Sequence, residues 1–402
     1  MRAPDLWRNH VLAGTTVELP EPEAPARQHS QLLSEKIASR VAQSPLSFAE
    51  YMQMALYEPG FGYYVAGAQK FGEQGDFITA PHISSLFGEC VAVQLKEILS
   101  VTGGSILELG AGNGKLAGSV LTAMSDTPPK HYFILEPGSE LQQRQRQHLF
   151  QVLPKALFER VVWLDTLPDE FVGVFIANEV MDALPTEVFV KQDGSTQQLF
   201  VTQTGDTFVA EARPASVELE QAVVAIEHEL GVGLPLHYQS EVCLLLEPWL
   251  HSLASALNTG VMLFCDYGYP RREFFLAERS AGTLACYYRH RQHTNPFFYP
   301  GLQDITAHVD FTRVVESASS AGMSLLGYTS QSHFLLDCGL ADMAARRLSN
   351  CRSEQAQLSL SREVKTLTLP GEMGERFQLM ALGKNMASPL QGFSSHDLSH
   401  RL

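Results

Sequence analysis

The chain has 402 residues, a hydrophobic share of 45% and a formal charge of −15. That length and composition suit a large core and more than one structural unit, while the acidic balance argues against nonspecific binding to nucleic acid or anionic membrane, which needs a basic face. No apolar run reaches the roughly 18–20 residues of a membrane span, and the six cysteines (Cys90, Cys243, Cys265, Cys286, Cys338, Cys351) form no C-x-x-C, as suits buried thiols in a reducing compartment.

In chain order, residues 1–29 are rich in proline and glutamate and read as a flexible leader. It has no signal-peptide pattern, and its acids Asp5, Glu18, Glu21 and Glu23 set it apart from a transit peptide, so the expected location is cytoplasmic. Residues 30–104 read as a helical and glycine-rich cap. Helical periodicity starts near Ser30 with Leu32, Leu33, Ile37 and Val41, a second helix covers Ser47–Leu56, and the aromatic, glycine-dense stretch from Gly60 to Gly88 reads as an ordered loop. From residue 105 strands and helices alternate, with strands at Ile106–Leu109, Tyr132–Leu135, Val161–Leu164, Val174–Ala177 and Val261–Cys265. This pattern predicts a parallel sheet covered by helices on both faces. Residues 105–184 are the first part of that core. Residues 185–259 form an inserted α+β subdomain, with strands near Glu187–Val190 and Gln198–Val201 and helices at Val217–Glu229 and Glu241–Leu257. Residues 260–402 complete the core, with a helix at Phe311–Ala321 and strands at Leu325–Thr329 and Phe377–Leu382.

The chemistry centres on Ile106-Leu107-Glu108-Leu109-Gly110-Ala111-Gly112-Asn113-Gly114-Lys115. A strand, a glycine turn and a helix start together form a nucleotide-type site, because glycines admit a ligand close to the backbone and free N–H groups attract an anion. A dinucleotide fingerprint would need a third glycine where Lys115 stands, which counts against a nicotinamide-dependent oxidoreductase. The E-x-G-x-G-x-G spacing instead resembles the first motif of S-adenosylmethionine (SAM) methyltransferases. Gly110, Gly112, Asn113 and Gly114 are therefore candidate contacts of the methionine part. Glu136 ends the second strand, where a carboxylate can accept both hydroxyls of a ribose. Asp165 ends the third strand and is either an adenine contact or a turn cap. After the fourth strand comes Asn178-Glu179-Val180-Met181-Asp182. A helical turn there would let Glu179 and Asp182 face one site and hold a guanidinium, although Asp182 could equally be an N-cap. Asp266 follows the fifth strand at the same edge. The basic run Tyr287–His293 suits either an anion or a salt-bridged loop, and the histidine spacings suggest no metal site.

Together these pieces resemble the MidA-like family of class I SAM-dependent methyltransferases, from about Ser47 to Leu382. The motifs are Tyr57-Glu58-Pro59-Gly60-x-Gly62-Tyr63-Tyr64, Gly75-Asp76-Phe77-x-Thr79-Ala80-Pro81, the glycine loop with Glu108, Asn178-Glu179-x-x-Asp182-Ala183-Leu184-Pro185, Asp266-Tyr267-Gly268, Asp304–Phe311 and Pro370-x-x-Met373-Gly374-x-x-Phe377. The resemblance implies an α/β fold with a Rossmann-like sheet. It adds Asp76, Thr79, Glu108 and Asn178 to the cofactor contacts, with the Gly75–Pro81 loop closing over SAM. Mitochondrial relatives in this family are complex I assembly factors that methylate an arginine. His82 stands where the family often has an acid, and the glycine loop differs from that of the mitochondrial relatives, which favours a bacterial-type member. The expected function is methyl transfer from SAM to an arginine nitrogen of a protein, with Glu179, Asp182 and Asp266 as catalytic acids. The alternatives are a SAM-binding assembly protein without turnover and a small-molecule methyltransferase. The inserted subdomain is a candidate contact surface for the substrate protein or for a second copy in a homodimer.

Overall fold

The computed structural model describes residues 19–66, 79–386 and 389–402. The described residues fall into two units, formed by residues 19–66, 182–246 and 271–308 and by residues 79–181, 247–270 and 309–402.

The second unit is built on a sheet whose principal strands are β1 (Ser105–Leu109), β2 (Tyr132–Leu135), β3 (Val161–Leu164), β4 (Phe171–Asn178), β5 (Leu257–Tyr269), β6 (Ser324–Ser330) and β7 (Phe377–Lys384). Their order is β3-β2-β1-β4-β5-β7-β6, and the two-residue strand Val309–Asp310 also pairs with β5. The first five strands are parallel, whereas β7 runs antiparallel to both β5 and β6. The all-parallel expectation thus fails at one strand. Every residue of β1 is buried, as in a strand covered on both faces. Chain order reverses between β1 and β4, and such a switch point opens a crevice beyond the carboxyl ends of the strands. Helices α1 (Ser85–Thr102), α2 (Lys115–Ala123) and α3 (Ser139–Val152) belong to this unit. Ser84 caps α1 by accepting from Leu86 N–H, and left-handed Gly103 ends it. Its buried face (Leu86, Phe87, Cys90, Val91, Leu95, Ile98) joins Leu116, Ala117, Val120 and Leu121 of α2 in one apolar core. Truncating one such leucine to alanine would cost about 2–5 kcal/mol.

In the first unit the helix Ala24–Gln43 begins ahead of the expected Ser30, with Pro25 in its first turn, where a missing N–H costs nothing. Ser47 and Glu50 form a reciprocal capping box for the helix Phe48–Tyr57. The chain then folds back, with Tyr63 N–H donating to Ala55 O (2.9 Å) and Tyr64 N–H to Leu56 O (2.8 Å). A Cβ on Gly62 would lie 2.5 Å from the Leu56 carbonyl carbon, so only glycine fits this return. Tyr64 Oη donates to Asp304 Oδ1 (2.8 Å), which joins two of the motifs named above. The sheet of this unit centres on Ser195–Thr204, which pairs antiparallel with Leu46–Ser47, Glu187–Gln192 and Thr207–Pro214.

Part of the expected helix Glu241–Leu257 is strand. Gln239–Val242 is wholly buried and pairs with Glu187–Val190, and helix resumes only at Leu246. The Glu241 carboxylate accepts from Thr283 N–H (2.9 Å), Thr283 Oγ1 (3.0 Å) and Leu284 N–H (3.3 Å), which fixes it in extended structure. The strand Thr207–Pro214 was not anticipated. No helix among the described residues is long and apolar enough to cross a membrane.

Candidate functional site

The glycine turn leaves β1 with Gly110, Gly112 and Gly114 at φ 64°, 54° and 85°, a backbone that L side chains rarely adopt. Gly114, the N-cap of α2, has no side chain to cap the helix; Asn113 Oδ1 accepts from the first N–H, that of Lys115 (3.3 Å), and the next first-turn N–H groups suit a ligand. A Cβ on Gly110 would lie 3.0 Å from Val180 Cγ2, which sets the glycine turn against the loop that follows β4.

The neighbouring strand ends carry linked polar groups. Glu136 is buried, and its Oε1 accepts from Gly138 N–H (2.9 Å). Its Oε2 accepts from Gln145 Nε2 (3.2 Å). Burial raises its pKa, against the lowering effect of these two bonds. Gln142 Nε2 donates to Glu136 O (2.6 Å) and to the exposed carboxylate of Asp165 (2.9 Å). Asp165 therefore lies at the same edge as Glu136.

Glu108 faces the core. Its Oε2 accepts from Tyr132 Oη (2.7 Å), and burial pushes its pKa up to about 7, less the effect of that bond. This acid is turned onto Tyr132 in the core, where the motif suggested a ligand contact.

His82 links the segment after Pro81 to the glycine turn. Asn113 Oδ1 accepts from Lys115 N–H (3.3 Å), which directs Asn113 Nδ2 toward His82 Nε2 (2.8 Å). An accepting Nε2 leaves the proton on Nδ1, which donates to Thr79 Oγ1 (2.8 Å). Burial, then the charges of Lys115 and His148, lower the His82 pKa to about 4, so the imidazole is neutral. Thr79 and Asn113 thus share one clasp. Asp76 lies outside the described residues.

After β4 there is no helix in residues 179–186. Glu179 instead adopts φ 55°, unusual for a side chain of its size, with its N–H on Cys265 O (2.8 Å) and its Oε1 accepting from Asn178 Nδ2 (3.0 Å). Asp266 holds this bend. Its Oδ2 accepts from Val180 N–H (3.2 Å) and Met181 N–H (2.9 Å), and its Oδ1 from Tyr267 N–H (2.9 Å). Only 1% of Asp266 is exposed, so the expected catalytic acid is a buried anchor for backbone. The helical spacing proposed for Glu179 and Asp182 does not exist, and neither does the N-cap alternative. Asp182 belongs to the other unit, where its carbonyl accepts from Ala307 N–H (3.0 Å) and its carboxylate helps to raise the Tyr64 pKa, behind burial and Asp304.

The basic run is a hairpin in the first unit, pairing Ala285–Tyr288 with Arg291–His293. No group of three or more His, Cys, Asp or Glu side chains is arranged to hold a metal among the described residues. Sequence reasoning missed Gln145 and Trp163 altogether, and it noted His82 only as a departure from a pattern.

Residues 86–329 match the model of an S-adenosyl-L-methionine-dependent methyltransferase family. A COG1565 superfamily protein from Burkholderia thailandensis, crystallised with S-adenosyl-homocysteine, is 37% identical with a TM-score of 0.90, over 96% of this chain and 100% of that one. The human protein arginine methyltransferase NDUFAF7 is 28% identical over 94% of this chain and 88% of its own length. Its Caenorhabditis elegans homologue is 28% identical over 84% and 83%. Both are mitochondrial by name, and this overturns the cytoplasmic expectation.

Proposed function

Because this chain belongs to the S-adenosyl-L-methionine-dependent methyltransferase family, we propose that it transfers the methyl group of SAM to a guanidinium nitrogen of an arginine in a protein. The observation that carries this reading is Glu179, a carboxylate bent out of strand geometry beside the glycine turn. The names of the human and nematode relatives support the same acceptor.

The residues present fit the cofactor. Gly110 N–H and Gly114 N–H donate to Leu135 O (3.4 Å) and Ala111 O (2.8 Å), so the N–H groups between them, at Ala111–Asn113, suit the methionine carboxylate, which a helix start attracts. Asn178 Oδ1 is buried without a partner among the described residues, and an ammonium group would satisfy it. Glu136 suits the ribose hydroxyls and Asp165 the adenine edge, while Thr79 and Asn113 brace the turn. Bound SAM supplies a methyl group activated by a sulfonium.

Glu179 orients the guanidinium through charge-assisted hydrogen bonds, which localise positive charge away from the attacking nitrogen. The nitrogen–methyl bond forms as the sulfur–methyl bond breaks, sulfur keeps the electron pair, and the nitrogen's proton passes to the Glu179 carboxylate. Alignment supplies much of the rate. Asp266 acts through the backbone that it holds. Incubating the protein with methyl-tritiated SAM and lysate from cells lacking it should place label in methylarginine after acid hydrolysis. Label in another residue or in small molecules only, or SAM binding with no transfer, would contradict the proposal.

A further inference from the structure

Helix α3 is polar along most of its length, yet its Gln145 is fully buried. A buried amide is costly unless its groups are paired, and here they are paired across two loops and a strand. Nε2 donates to Gly112 O (2.9 Å) in the glycine turn and to Glu136 Oε2 (3.2 Å) after β2. Oε1 accepts from Trp163 Nε1 (2.9 Å) on β3. An indole N–H only donates, so it fixes which end of the amide faces it and turns both amide hydrogens toward Gly112 and Glu136. The Arg146 guanidinium stacks on the face of the indole, 4.0 Å from the Trp163 ring centroid.

A glutamine with a purely structural task could satisfy itself on any backbone groups. This one joins the glycine turn to the carboxylate read as the ribose acceptor. Gly138 N–H occupies one site on Oε1, and Gln145 one site on Oε2. One lone pair on each oxygen then remains for a ribose hydroxyl.

We propose that Gln145 is a positioning residue for SAM, fixing the glycine turn and Glu136 at one separation, and that Trp163 sets the direction of its amide. The proposal rests on Glu136 as the ribose acceptor. It uses no contact between Gln145 and the ligand.

The test is SAM binding by calorimetry on the full chain, with steady-state kinetics beside it. Gln145→Leu should weaken SAM about 10-fold while kcat at saturating SAM stays within about 3-fold, as expected for lost binding rather than lost transition-state contacts. Trp163→Phe should weaken SAM about 3-fold, and the double variant should be no worse than Gln145→Leu, because both break one chain of bonds. Gln145→Glu gives a sharper sign. It sets a second carboxyl beside Glu136, and two adjacent carboxyls share a proton; the other charged or titratable groups on the adjoining elements are Asp165, reached through Gln142, Arg146 on the Trp163 ring, and Lys115 with His148 and His82, the histidines titrating alike in both variants. Its SAM affinity should recover as pH falls from 8 to 5.5, whereas that of Gln145→Leu should not. Where the leucine variant fails to fold, the wild type is the reference, since its SAM affinity should not rise over the same pH range.

Folded Gln145→Leu that binds SAM like the wild type, or additive losses in the double variant, would overturn the proposal. Glu136→Ala separates the two readings. Loss of SAM there without loss in Gln145→Leu removes only the positioning role, whereas no loss in either removes the ribose assignment as well.

Discussion

Around the ends of β1 and β2 the chain is held by side chains: Gln145 joins Gly112 and Glu136 to Trp163 on β3, and His82 spans Thr79 and Asn113. After β4 it is held by backbone, with one buried carboxylate, Asp266, gathering the N–H groups of Val180, Met181 and Tyr267. Side-chain links set distances between separate loops, as a large, fixed cofactor requires. Backbone pinning sets the direction of a single residue, Glu179, as an in-line reaction requires. The two edges should therefore fail differently, the first in affinity and the second in turnover.

The largest effect is expected at the point where the edges meet. Gly110→Val puts a branched side chain at φ 64° and 3.0 Å from Val180 Cγ2. SAM binding should fall by more than about 100-fold, which calorimetry would read directly. Next, Asp266→Asn replaces a charged acceptor with an amide whose N–H₂ end must face donors. Its kcat should drop about 100-fold while the SAM Kd stays within about 3-fold, and an equal loss of SAM affinity would erase the distinction between the edges. At the first edge, His82→Ala should raise the SAM Kd about 5–10-fold with little change in kcat. His82→Gln, which can still accept from Asn113, should recover most of that loss.

Much of this was legible beforehand. The seven strands hold short apolar runs, the alternate glycines follow one of them, and Glu136 ends the next, so period and position were enough to place the strands and the turn between β1 and α2. The supporting residues were not legible. Gln145 sits among other glutamines in a helix that reads as solvent-facing, and nothing in its spacing marks the one that turns inward. Asp266 was placed at the right edge, but whether a strand-end acid faces ligand or backbone depends on the neighbouring chain. Glu241 and Val242 read as the start of a helix because only the partner Glu187–Val190 makes Gln239–Val242 a strand. Glu108 read as a ligand contact because its partner Tyr132 comes from another strand.

Glu108 provides the smallest test and touches neither edge from outside. Its folded pKa of about 7 lies above an ordinary glutamate value, so the fold favours the protonated form. Its stabilising effect is complete below the unfolded pKa and is lost as pH rises from about 4.5 through about 7, by on the order of 3 kcal/mol at most. Glu108→Gln should flatten that part of the melting-temperature profile and leave SAM affinity unchanged. A marked loss of SAM affinity would instead return Glu108 to the ligand side.

The most direct measurement is Glu179→Gln, with SAM Kd by calorimetry and turnover by transfer of labelled methyl to protein arginine. The expected result is a Kd within about 3-fold of wild type and a kcat at least about 100-fold lower, the scale of a lost acid–base group. Turnover near the wild-type rate, or loss of SAM binding in parallel with activity, would contradict it.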